Sequence, residues 1–372
     1  MSALPTALET MGVELQDIFA AHMTAYLEKR HLSPVQWKVA RDIVDCRTAA
    51  LGAHIDNCDN CGHTRISYNS CRNRHCPKCQ TVAKEKWIEK QRQHLLDIPY
   101  FHAVFTVPTE LNPVFLSQQN TLYTLLFQTA SETVLELCAD RKYLGATPGI
   151  TAVLHTWGQN LQFHPHIHMI VTGGGLTREG KWRSSKKHFF LPVRVLSAKF
   201  RGKFLALLKA RFPEAEQSLL DRCYQQKWVV YCKPPFDCAG KVISYLGRYT
   251  HRVAISNDRI LSLKDGKVTF RWRDYVHGNQ VKLMTLDAEE FIRRFLLHIL
   301  PPGFRKIRHY GLFASRDKRK RLTLCRRLTN SPLPTPVSPV AALLERIFGK
   351  DFNLCPRCKS GHFAREPPLW NE

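Results

Sequence analysis

The chain has 372 residues, 44% of them hydrophobic and 10% aromatic. That is enough for two or three domains around at least one sizeable core, and it excludes a disordered chain. Lys and Arg number 55 against 31 Asp and Glu, a formal net charge of +24, so the surface needs a polyanion, each neutralised phosphate releasing condensed counterions. Nucleic acid, a ribosomal partner and anionic lipid all satisfy charge alone.

The opening stretch through Phe19 carries acidic residues and lacks the positive start and apolar core of a secretory signal. No apolar run is long enough to span a bilayer; Phe291–Leu300 is interrupted by Arg293, Arg294 and His298. We expect a protein of the bacterial cytoplasm, at the nucleoid when bound to DNA, with no membrane partner. In that reducing setting the 13 cysteines read as metal ligands rather than disulfide partners.

Residues 1–45 read as a helical segment, since Leu8, Met11, Leu15, Ile18, Phe19, Met23 and Leu27 recur at helical spacing. Residues 46–95 form a Cys-, His- and Arg-rich domain that ends in a basic helix over Lys84–Leu96. Residues 96–315 mix both periods. Strands are expected at Phe101–Val107, Ile150–Thr156, Phe163–Gly173, Trp228–Cys232, Val253–Ser256 and Val268–Trp272. Helices are expected around Leu122–Ala139, then at Arg194–Phe212, Glu214–Gln226, Lys241–Thr250 and Asp287–Leu300. Asp287 would cap the last of these and Pro301-Pro302 would stop it. Gly173–Gly180 reads as a turn; it imitates a phosphate-binding loop, but Trp182 stands where Ser or Thr must hold magnesium. Residues 316–372 are a basic, Pro-rich tail ending in a C-x2-C knuckle. The fold class is therefore α+β, a mainly antiparallel sheet flanked by helices, with a small N-terminal zinc-binding domain.

Cys58-x-x-Cys61 and Cys76-x-x-Cys79 are expected to close one tetrahedral, structural zinc site. Cys46, His54, Cys71 and His75 could complete a second site interleaved with it. Buried, unligated cysteines are a poorer reading, because the stretch has little apolar material to bury them. Arg72 and Arg74 line the same module as candidate DNA contacts. Cys355 and Cys358, with His362, make half of another site whose missing ligands must come from elsewhere, for instance Cys325.

His164, His166 and His168 alternate along a strand and share one face, opposite Ile167, Met169 and Val171. Such a platform suits Mg²⁺ or Mn²⁺ with positions left open for phosphate oxygens. His166 and His168 are the pair; His164 is in phase as a third ligand, with His155, Gln159 and Gln162 as alternatives from the preceding segment. Tyr245 and Tyr249 lie one helical turn apart, as do Arg248 and Arg252 beside them. A phenol, with a pKa near ~10, needs neighbouring positive charge to act as a nucleophile. Two tyrosines packed under a sheet would show the same spacing; the histidine strand and the basic charge favour nucleophiles.

These residues resemble the HUH endonuclease superfamily, through His166-Ile167-His168, and more narrowly the two-tyrosine transposases of the insertion-sequence ninety-one family. The wording matches at Cys71–Gln80, Trp157–His168 and Tyr245–Ser256. The resemblance implies that Tyr245 or Tyr249 attacks a phosphodiester of a single-stranded element end, leaving a 5′-phosphotyrosine and a free 3′-OH. The second tyrosine then allows strand exchange of a rolling-circle type. With no fused helicase, a host helicase or supercoiling would separate strands. A rolling-circle replication initiator and a non-catalytic zinc-containing DNA-binding regulator are the rival readings.

Overall fold

The computed structural model describes residues 12–186, 190–236, 242, 247, 253–274, 277–314, 316–349 and 351–365. Helix α1 (Leu15–Lys29) opens with a reciprocal cap between Glu14 and Asp17. Helix α2 (Pro34–Val44) opens with one between Ser33 and Gln36, with Pro34 in the first turn. A hairpin of β1 (Ala53–Cys58) and β2 (Thr64–Tyr68) precedes α3 (Pro77–Arg92). Then come β3 (Tyr100–Thr106), α4 (Asn112–Ser117), α5 (Gln119–Ala139), β4 (Thr147–Trp157), β5 (Phe163–Leu176) and β6 (Trp182–Ser184). After α6 (Val193–Arg211), α7 (Gln217–Gln225) and β7 (Val230–Phe236), a meander of β8 (Ile260–Lys264), β9 (Lys267–Asp274) and β10 (Gln280–Asp287) leads into α8 (Ala288–Leu296). The described chain closes with β11 (Ile307–Gly311), α9 (Lys318–Thr329), α10 (Val340–Phe348) and β12 (Phe363–Arg365).

The central sheet has the order β11-β4-β5-β3-β7, with β6 beside β5, and its pairings are antiparallel. The expected α+β class is thus observed. Its one face carries Phe101, Phe105, Leu154, Ile167 and Met169 into a core shared with α5 and α6. The opposite face carries the histidines, and beyond them Tyr100 and Ile170 join Leu96, Val242, Leu312, Phe313, Leu322 and Cys325 in a smaller cluster. A further core gathers α1, α2 and α8 with β9, Cys46, Cys76, Trp157 and Leu161. The helical start of the chain is therefore packed against both the cysteine-rich region and the end of β4 with its turn into β5.

Three expectations about local structure change. Gly173, Gly174 and Gly175 lie inside β5 rather than in a turn. A Cβ at Gly173 would meet the Pro99 carbonyl at 2.7 Å, and one at Gly175 the Thr147 carbonyl at 2.6 Å. These glycines let neighbouring backbone approach. The strand expected at Trp228–Cys232 runs on to Phe236 through Pro234 and Pro235, tolerated because β7 is the edge of the sheet among the described residues. Val253–Ser256 forms no strand; Val253, Ala254 and Ile255 are buried as irregular chain. No helix among the described residues is long and apolar enough to cross a membrane.

Candidate active site and metal centres

Alternation along β5 turns Ile167 and Met169 into the main core and leaves His166 and His168 on the opposite face. Strand β4 pairs His155 directly with His166. Ligand nitrogens of His155, His166 and His168 all lie within 4.8 Å of one another, and the two Nε2 atoms of His166 and His168 are 3.0 Å apart. Adjacent ligands on an ion held at ~2.1 Å in octahedral geometry sit about 3.0 Å apart, so the spacing fits a divalent cation.

The second ring nitrogens support that fit. His166 Nδ1 lies 2.7 Å from the His164 carbonyl, which can only accept; the proton is therefore on Nδ1 and the lone pair on Nε2. His168 Nδ1 lies 3.0 Å from His102 Nε2. A cation on His168 Nε2 would select the tautomer that donates from Nδ1 to His102. His155 is buried and stacked on Trp157 at 4.7 Å between ring centroids, which fixes its plane.

The third member of the group is thus His155 and not His164. The His164 ring is 5.0 Å from that of His166, and burial lowers its pKa, but its carbonyl rather than its imidazole serves the site. His155 enters through its pairing with His166 across β4 and β5, and no single-strand pattern contains that. His102 was not anticipated at all; it faces the same side as His168 from β3, two positions from the Val104–His168 pair. The same alternation over Tyr100, His102 and Val104 carried the signal. Tyr245, Tyr249, Arg248 and Arg252 lie outside the described residues. Of that stretch, Val242 is buried beside Tyr100 and Ile170, and a Cβ on Gly247 would meet Ile88 Cδ1 of α3 at 2.4 Å.

The cysteines group differently from the expected pairing of adjacent knuckles. Cys76 and Cys79, at the first turn of α3, come together with Cys71 from the preceding loop and Cys46 from the end of α2. Their Sγ–Sγ separations are 3.6 Å for Cys46–Cys79 and Cys71–Cys79, and 3.7 Å for Cys46–Cys76. Four thiolates at ~2.3 Å from zinc in a tetrahedron lie about 3.8 Å apart, so the set fits. Hydrogen bonds from Cys71 and Cys76 lower the pKa of the Cys79 thiol, and the α3 N-terminus favours negative charge there. Cys58 and Cys61 are carried off on the tip of the β1–β2 hairpin and meet Cys355 and Cys358. Five residues of strand at ~3.3 Å each separate tip from base, which is why the two N-terminal knuckles cannot share an ion. Cys325 is buried in the apolar cluster with Tyr100 and reaches neither group.

His54 and His75 join neither cluster. His54 Nε2 is 2.7 Å from Arg365, while His75 is pushed down to about 3 by burial and accepts from the Leu300 amide at 3.4 Å. Arg74 also turns inward: its guanidinium donates to the carbonyls of Phe304, Leu300 and Pro301, bracing that turn instead of reaching for phosphate. Arg72 is exposed, on a left-handed backbone at φ 54°.

Comparison with known proteins decides the family. Residues 18–107 match the family described as "Transposase zinc-binding domain", and residues 149–321 that described as "Putative transposase". The chain is 44% identical to "Putative transposase y4qJ" of Sinorhizobium fredii (strain NBRC 101917 / NGR234), over 94% of each. It is 30% identical to the "Transposase for insertion sequence element IS801" of Pseudomonas savastanoi pv. phaseolicola, over 81% of this chain and 76% of that one. The chain belongs to the insertion-sequence ninety-one family of transposases. As such it binds DNA and is a DNA-cleaving, strand-transferring enzyme with an N-terminal zinc-binding domain holding the Cys46, Cys71, Cys76, Cys79 cluster. No solved structure matches this transposase.

Proposed function

We propose that this transposase is an HUH-type enzyme that nicks and rejoins single-stranded DNA at its element's ends through a 5′-phosphotyrosine, in rolling-circle-type transposition. The observation that carries the reading is the convergence of His155, His166 and His168 on the sheet face opposite the main core. His166 and His168, with His155 as third ligand, would hold Mg²⁺ or Mn²⁺. The cation supplies Lewis-acid withdrawal at the scissile phosphate.

The chain's own residues do the rest. The phenolic oxygen of Tyr245 or Tyr249 bonds to phosphorus as the bond to the 3′-oxygen breaks. The phenol gives up a proton and the released 3′-oxygen gains one. Because one phosphoester replaces another, the step is reversible without ATP, and the second tyrosine can take a second strand. Arg248 and Arg252 offset the phosphate's charge and lower the cost of ionising the phenol. Two neighbours in the chain support this assignment: Val242 clusters with Tyr100 and Ile170 of the sheet, and Gly247 lies against Ile88 of α3. Strand separation is left to a host helicase or to supercoiling.

Trapping on a single-stranded end oligonucleotide tests the reading. Covalent protein–DNA adducts should form with Mn²⁺, vanish in Tyr245→Phe/Tyr249→Phe, and persist in part in each single variant. His166→Ala/His168→Ala should abolish nicking while DNA binding survives. Nicking retained in the histidine pair variant, or adducts in the double tyrosine variant, would refute the assignment.

A further inference from the structure

The four cysteines Cys58, Cys61, Cys355 and Cys358 come from opposite ends of the chain, and the latter two lie outside the residues matched by either family. We propose that these four thiolates bind a second structural zinc ion, which clasps the C-terminal segment onto the β1–β2 hairpin and straps that segment across α3.

The separations Cys58–Cys358 and Cys61–Cys355 are 3.6 and 3.7 Å, the same as in the other cluster. The two halves are built alike. In the first, the Cys58 amide donates to the His63 carbonyl and the Gly62 amide to the Cys58 carbonyl. In the second, the Cys355 amide donates to the Gly361 carbonyl and the Lys359 amide to the Cys355 carbonyl. Gly62 and Lys359 each follow the second cysteine of their knuckle, and both are left-handed, with φ 63° and 57°. A lysine held there shows that the turn is imposed by more than local preference. The Gly361 amide also donates to Cys358 Sγ at 3.3 Å, a bond that favours the thiolate. Paired knuckles aiming four sulfurs at one point are the arrangement of a closed, structural zinc site.

The joint between the halves is close. A Cβ on Gly361 would come within 2.5 Å of Cys58 Sγ and of Asn60 Cβ. Strand β12 adds to the hairpin, pairing Cys58 with Phe363, and the Arg65 guanidinium lies 4.0 Å from the Phe363 ring centroid. The hairpin itself is thin and its outer face exposes Ile55 and Ile66, so apolar burial does not hold this end together. Between clasp and body, the segment crosses α3. Ser338 donates to Glu89 at 3.1 Å, Arg346 pairs with the same buried carboxylate at 3.2 Å, and Gln93 donates to the Thr335 carbonyl. The clasp thereby anchors a strap over the helix whose Ile88 meets Gly247.

Metal counting on the full-length protein by native mass spectrometry and elemental analysis tests the clasp. Two zinc ions per chain are expected in the wild type, one in Cys355→Ser/Cys358→Ser, and two in the control Cys325→Ser. Amide exchange should rise at Cys58 and Phe363 in the double variant only. A single zinc in the wild type, two in the double variant, iron at the site, or disulfides in place of metal would overturn the proposal. Should the variant not fold, cobalt substitution of the wild type decides the matter: thiolate–cobalt absorbance for two four-sulfur sites supports the clasp, and absorbance for one refutes it.

Discussion

His102 stacks on His168 with ring centroids 5.2 Å apart and planes 8° from parallel, and its Nε2 faces His168 Nδ1 at 3.0 Å. It is buried, so the bond is not exchanged for water. A ligand imidazole whose far nitrogen is hydrogen-bonded is both aimed and made more basic, and losing such a partner commonly weakens metal binding by ~10–100-fold. His102→Ala should therefore raise by that factor the Mn²⁺ concentration giving half-maximal nicking, with activity recovered at high Mn²⁺. His102→Gln, which keeps an acceptor, should recover part of the loss. An unchanged Mn²⁺ requirement would exclude His102 as a positioning residue. At this scale the sequence was partly legible. His166 and His168 follow from alternation within one strand, whereas His155 and His102 enter through pairing with β4 and β3. Cross-strand register is set by the whole sheet, and no local pattern encodes it. The cysteines show the same limit: spacing finds knuckles, but only the hairpin and the returning tail decide which knuckles meet.

The element that matters most to the site is α3, which carries two cysteines in its first turn and Ile88 near its far end. Ile88 is buried and stands where a side chain on Gly247 would have to go. Gly247→Val should therefore destabilise the protein by about 1–3 kcal/mol through overpacking. Ile88→Ala alone leaves a cavity, but in the double variant the two defects should compensate, giving a coupling energy of at least ~0.5 kcal/mol in a urea-unfolding cycle. Strict additivity would mean that the helix and Gly247 do not touch. Element type was legible wherever the apolar period was long, as in α5, α6, β3, β4 and β5. The short strands β1, β2, β11 and β12 escaped, because polar or edge strands carry little alternation. Gly173–Gly175 were mistaken for a turn, since close approach and chain reversal use the same residue.

Over the whole molecule the +24 charge is not spent alike by all its members. Some cations are structural: Arg74 serves three backbone carbonyls and Arg346 a buried carboxylate, while Arg72 stands exposed beside the Cys71 ligand. Only cations free to meet phosphate release counterions, and each contributes ~0.7 to the slope of log affinity against log salt on single strands. Binding to a single-stranded end should weaken steeply between low and moderate salt. Arg72→Ala should lower the slope by about that single increment at unchanged stability. Arg74→Ala should leave the slope alone and instead cost about 1–3 kcal/mol of folding stability, because buried carbonyls lose their donor. Fluorescence anisotropy titrations at several salt concentrations, paired with thermal unfolding, separate the two. Equal slope changes for both arginines would return Arg74 to the DNA surface and remove its role as a brace.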